Sequence, residues 1–96
     1  MEKAKKIGAK GPLSRLWIEG KALADAGFAP NAHYTVKYGP QSILLALDPN
    51  GPRRVSACAK GAIIDVCDRE ITEWANGRTL GTIVFAQGVI VFTFSN

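Results

Sequence analysis

The chain has 96 residues, a hydrophobic fraction of 47% and a net charge of +4. That length bounds it to one domain whose modest core removes about 60–70% of the unfolded chain's surface from water. The composition excludes general disorder, no apolar run approaches the roughly 20 residues of a membrane span, and no apolar run follows the basic N-terminus to make it a secretory signal.

Residues 1–13 open with "MEKAKKIGAKGP", in which Ile7 is the one large apolar residue after Met1. Such a segment buries little, so a flexible basic arm is expected, able to lie along a phosphate backbone or simply to aid solubility. The single domain then spans 14–96. "RLWIEG", residues 15–20, reads as a strand. In "KALADAG", Ala22, Leu23 and Ala26 recur at helical spacing, and Gly27 sits where a helix C-cap favours positive φ, with Phe28 placed to fold back on the last turn. Pro30 and Asn31 mark a turn, "HYTVKY" and "SILLAL" read as strands, and "DPNGPRR" reads as a loop.

"GAIIDV", residues 61–66, is the next strand. Asp68 stands at an N-cap position before "REITEWAN", whose buried stripe is Ile71, Trp74 and Ala75, and Asn76-Gly77 ends that helix. "LGTIVFA" and "VIVFTF" around Gln87-Gly88 form a hairpin signal.

Residue n set against n+48 pairs Leu16 with Ile64, Ile18 with Val66, Lys21 with Arg69, Leu23 with Ile71, Asp25 with Glu73, Thr35 with Ile83 and Val36 with Val84. Past the turn the offset falls to 47, pairing Ile43 with Ile90, Leu45 with Phe92 and Leu47 with Phe94. Each half therefore reads strand, helix, strand, strand: repeat 1 over 14–48, a loop over 49–60, and repeat 2 over 61–95. A unit too small to bury its own face packs against its copy, which implies a pseudo-two-fold domain with a shared core.

The first unit, "WIEGKALADAGFAPNAHYTVKYGPQSILLAL", resembles the SymE-like branch of the AbrB-type swapped-hairpin family. Gly20, Lys21, Leu23, Ala26, Gly27, Phe28, Val36, Ile43 and Leu45 fit its pattern over about residues 16–47. The resemblance implies a mainly β (α+β), barrel-like domain built from two interlocked β-α-β-β units, with DNA or RNA binding in a regulator or toxin-type module. The second copy departs from the pattern: it reads "WANG" where the first reads "AGF", and it is acidic. One half is thus expected to bind while the other completes the barrel.

Charge is unevenly placed. Residues 1–60 carry ten Lys/Arg and four Asp/Glu, a net +6, whereas residues 61–96 carry two and four, a net −2. The basic half points to an anionic partner, nucleic acid or an acidic protein surface. The candidate nucleic-acid contacts are Lys3, Lys5, Lys6, Lys10, Arg15, Lys21, Arg53, Arg54 and Lys60. Trp17, Tyr34 and Tyr38 are candidates for base stacking or for core packing.

Catalytic constellations are missing from the pattern. His33, the single histidine, has no histidine partner and reads as a surface or edge residue. Asp65, Asp68, Glu70 and Glu73 read as a cap and solvated helix charges rather than a metal set. Cys58 and Cys67 do not make a disulfide framework and read as reduced thiols packed as small hydrophobes, which points to the cytoplasm. The expectation is a non-enzymatic bacterial or phage protein without cofactors, compatible with a homodimer, that binds nucleic acid through its basic half. The alternative is a phage-type inhibitor that docks on a host defence complex, for example a CRISPR complex. A SymE-like ribonuclease toxin is the weaker alternative.

Overall fold

The computed structural model describes residues 2–59 and 61–95. Strands make up 55% and helices 13% of it, so the fold is mainly β. In chain order the elements are β1 (Glu2–Lys6), β2 (Gly8–Lys10), β3 (Leu13–Glu19), α1 (Lys21–Asp25), β4 (His33–Tyr38), β5 (Ser42–Leu47), β6 (Arg53–Arg54), β7 (Ser56–Cys58), β8 (Gly61–Val66), α2 (Arg69–Ala75), β9 (Leu80–Ala86) and β10 (Val89–Phe94). They form a six-stranded sheet, ordered β1-β9-β10-β5-β4-β6, and a four-stranded sheet, ordered β2-β3-β8-β7. Each pairing is antiparallel.

Side chains on a strand alternate between faces, and the apolar phase decides which face turns inward. Leu16, Ile18, Ile64 and Val66 of the smaller sheet meet Ile43, Leu45, Ile83, Ile90 and Phe92 of the larger in one buried cluster. Leu23 of α1 and Ile71 of α2 are fully buried against it. Each such side chain contributes about 1.5–3 kcal/mol by leaving water.

The helices end as local chemistry dictates. Asp68 caps α2, accepting from the Ile71 amide at 2.9 Å, and Asn76 closes it in the left-handed region at φ 49°. The shorter α1 has no side-chain cap, since Gly20 holds the N-cap position. Phe28 turns back beyond it, its amide bonded to the Leu23 carbonyl at 3.2 Å, and is fully buried.

The N-terminal segment is not a flexible arm. β1 runs antiparallel to β9, with Lys3 opposite Ile83 and Lys5 opposite Gly81, and β2 pairs with β3. Ile7, between them, is only 2% exposed. Backbone pairing along an edge asks little of side chains, so one buried isoleucine anchors a lysine-rich strand. The expected loop over 49–60 is likewise organised. β6 pairs with β4, β7 pairs with β8, and the intervening Val55 is 1% exposed.

These two segments are copies of each other. Gly8 pairs with Arg15 as Ser56 pairs with Ile63, and Ala9 with Ser14 as Ala57 with Ala62, each displaced by 48 positions. The repeating unit therefore starts at β1 and β6, not at residues 14 and 61. Each edge strand joins the opposite half: β1 lies on β9, and β6 lies on β4. The central pairings agree from either end. Leu16↔Val66 is matched by Ile18↔Ile64, and Leu45↔Ile90 by Ile43↔Phe92.

The change of offset falls earlier than the residue pattern suggests. Val36 pairs with Leu45 as Ile83 pairs with Phe92, so Val36 corresponds to Ile83 at an offset of 47. Thr35 corresponds to Thr82, not to Ile83. The one-residue difference lies between helix and strand, because α2 runs to Ala75 and reaches β9 by a shorter connection. A slip of one residue exchanges the faces of a strand, so only the observed register keeps both Val36 and Ile83 turned inward.

Candidate functional site

The nine candidate cations do not form one free patch. Arg15 makes a two-pronged ion pair with Asp65, Nε to Oδ1 and Nη2 to Oδ2 each at 2.9 Å, and its guanidinium lies 4.4 Å from the Trp17 ring centre. The Asp65 hydrogen bond raises the Arg15 pKa. Arg53 donates to Asp68 Oδ2 at 2.9 Å. Burial alone would raise the Asp68 pKa, but the hydrogen bonds from Arg53 and the Ile71 amide outweigh it and hold the carboxylate below its ordinary value. Lys5 is half-buried and donates to the Trp17 carbonyl, and desolvation lowers its pKa against the opposing pull of Glu19.

Five cations remain exposed without an ion pair among the described residues: Lys3 and Lys6 on β1, Lys10 on β2, Lys21 on α1 and Arg54 on β6. Lys60 lies outside the described residues. Lys6 and Arg54 hold equivalent places at opposite edges of the six-stranded sheet, Lys6 opposite Leu80 and Arg54 opposite His33.

Aromatic residues turn mostly to packing. Tyr34 is 2% exposed and meets Phe28 edge-on at 6.1 Å. Tyr38 packs on Trp74 at 5.4 Å, and its buried hydroxyl lacks a hydrogen-bond partner among the described residues. Burial first, then Asp68 and Glu70, push its pKa up to about 12. Trp17 is half-buried beneath Arg15. His33 is exposed on β4, with Nδ1 3.0 Å from the Gly51 carbonyl oxygen. Cys58 is exposed on β7, against the expectation of a buried thiol, and Cys67 is half-buried.

One surface feature is not revealed by the charge pattern. Register places Thr82 and Val84 of β9, Val89, Val91 and Thr93 of β10, and Ser42, Leu44 and Ala46 of β5 on the outer face of the larger sheet. No charged side chain interrupts these three strands. Leu80 and Val84 are 60% and 39% exposed. Leu44 and Val91 are direct neighbours at the centre. Three cations, Lys6, Lys37 and Arg54, and one carboxylate, Glu2, stand on the flanking strands of the same face. "SILLAL" and "VIVFTF" do carry the signal: they are apolar in both phases, as strands covered on two sides are.

No helix of the described residues is long and apolar enough to cross a membrane. The chain shows no significant match to a family model, a curated protein or a solved structure.

Proposed function

We propose that the chain is a non-catalytic docking module, an AbrB/SymE-like pair of interlocked units whose six-stranded sheet binds a protein surface with an apolar centre and an acidic rim. The supporting observation is the outer face around the half-buried Leu44 and Val91: uncharged across three strands, with Leu80 and Val84 exposed, and flanked by Lys6, Lys37 and Arg54. Contiguous apolar surface of this kind, rimmed by polar residues, marks interaction sites. Phosphates gain nothing from leucine and valine, whereas a protein partner buries them. A second copy of the chain would set cationic rim against cationic rim, which favours an acidic partner instead.

The test uses Leu44→Asp and Val91→Asp, which add charge at the centre of the face without touching the core. Wild type should capture one stoichiometric acidic protein, with cross-links mapping to β5, β9 and β10, and both variants should lose it. Capture that survives both substitutions would sink the reading.

Nucleic-acid binding is the second reading, favoured by Lys3, Lys6 and Lys10, exposed along β1 and β2. It requires a mobility shift with duplex or single-stranded DNA or RNA at low salt. Removing Lys6 and Arg54 together should then flatten the logarithmic salt slope by about 1.5–2.

A further inference from the structure

The two halves correspond in register but differ in filling at one place. Ala26 ends α1 where Trp74 lies in α2, 48 positions on. Phe85 corresponds to Tyr38 and Ala86 to Gly39, at the strand offset of 47. In the second half Trp74 lies on Tyr38 at 5.4 Å and on Phe94 at 4.6 Å, and its indole Nε1 donates to the Gly39 carbonyl at 2.7 Å. In the first half there is no such ring. A cavity of about 180 Å³ stands there instead, open to the surface and lined by Ala22, Asp25, Ala26, Phe85, Ala86 and Gln87.

A second hollow of about 190 Å³ adjoins the first, sharing Ala22 and Phe85 and extending to Lys3, Lys5 and Glu19. Each is below the roughly 300–1,000 Å³ of a small-molecule pocket, which suits one large side chain and its neighbours. Gly27 keeps the wall close: a Cβ there would come within 2.9 Å of the Gln87 amide nitrogen.

We infer that this groove is a receptor for an aromatic side chain, tryptophan above all, presented by a segment of a partner protein with an acidic residue on its Lys3 side. The chain's second half carries its own occupant in the equivalent position, with a ring packed at a tilt on Tyr38 of the strand and an N–H donated to the Gly39 carbonyl. Beside α1 the same seat is present, Phe85 of β9 beneath and the Ala86 carbonyl as the counterpart acceptor, without the ring. Lys3, exposed at the far end beside the interacting Lys5 and Glu19, selects an acidic residue on that side of the ring, whereas Asp25 at the near end disfavours one on the other. Buried aromatic anchors of this kind dominate interface energetics. The inference extends the docking reading to a different surface, and the two fail separately.

The probe is a capped peptide with one central tryptophan and a carboxylate on one side of it only, titrated into the ¹⁵N-labelled chain. Amide shifts should cluster at Ala22, Asp25, Ala26, Phe85 and Ala86, and the same peptide with alanine for tryptophan should produce none. Ala26→Trp, which installs the chain's own plug, should weaken binding about tenfold or more. Because Ala26 is buried, Ala22→Glu on the groove rim serves as the second variant. It reproduces Glu70 of the other half and should repel the peptide without disturbing the core. Leu44→Asp, on the outer sheet face, should leave peptide binding unchanged. Equal binding of the alanine peptide, shifts centred on Leu44 and Val91, or no shift at millimolar peptide would each overturn the inference.

Discussion

Ile7 and Val55 are one structural position used twice. Each is almost fully buried, each sits between an edge strand of the larger sheet and one of the smaller, and each donates its amide across to the opposite half, Ile7 to the Thr79 carbonyl at 2.7 Å and Val55 to the Ala32 carbonyl at 2.8 Å. Edge strands from each half thus lock onto the other. Ile7→Ala should cost about 2–5 kcal/mol in denaturant unfolding. Deleting residues 1–10 should collapse near-ultraviolet dichroism. A truncated chain of unchanged stability would contradict the pairing of β1 with β9.

Tyr38 carries a buried hydroxyl without a partner, so Tyr38→Phe should stabilise the fold by about 1–3 kcal/mol, the desolvation cost of such a group. The pH dependence follows from the raised pKa of about 12 against an ordinary value of 10.0. The folded state favours the protonated phenol, so its contribution is whole below pH 10.0 and is lost as pH rises toward about 12. Chemical denaturation across that window should fall less steeply for Tyr38→Phe than for wild type.

Asp68 has two separable roles, capping α2 and pairing with Arg53. Asp68→Ala removes both and should cost about 0.5–2 kcal/mol, typical of a lost N-cap. Asp68→Asn keeps a capping oxygen and should cost less, since a partly exposed ion pair contributes only about 0–1 kcal/mol. The depressed carboxylate pKa contributes stability present above the ordinary value of 3.8 and lost as pH falls through the folded value. Acid unfolding should therefore shift upward in pH for Arg53→Ala.

Gly81 lies inside β9 opposite Lys5, with no room for a side chain. A Cβ there would approach the Thr93 carbonyl oxygen to 2.2 Å and the Phe92 ring to 2.6 Å. Gly81→Ala should destabilise by about 1–3 kcal/mol or more through overpacking, read as a lowered Tm. An unchanged Tm would mean that β9 and β10 separate more easily than their register implies.

The residue pattern carried the large elements because each has a local cause. Alternation placed β4; β-rich apolar runs bounded by turn residues placed β5, β8, β9 and β10; Asp68 capped α2, and Asn76 closed it. β1 and β2 escaped it because edge pairing uses backbone groups, leaving Ile7 as the one large apolar residue after Met1 in a lysine-rich stretch. The groove beside α1 escaped it too, since Ala26 and Trp74 differ in volume and only a three-dimensional superposition of the halves shows what that difference leaves open. The cations were misleading for a related reason. Arg15 meets Asp65 across 50 positions and Arg53 meets Asp68 across 15, and neither partner can be known before the strands are paired.

Periodicity, caps and turns act between neighbours in the chain, so the amino-acid order determines a mainly β protein with two short helices and a basic first half. Which strands pair, where the offset changes from 48 to 47, which charges are neutralised and which surfaces stay open depend on contacts between distant residues. Backbone hydrogen bonding is indifferent to side-chain identity, and a one-residue slip reverses every face. Those choices are made only when both halves pack on one core.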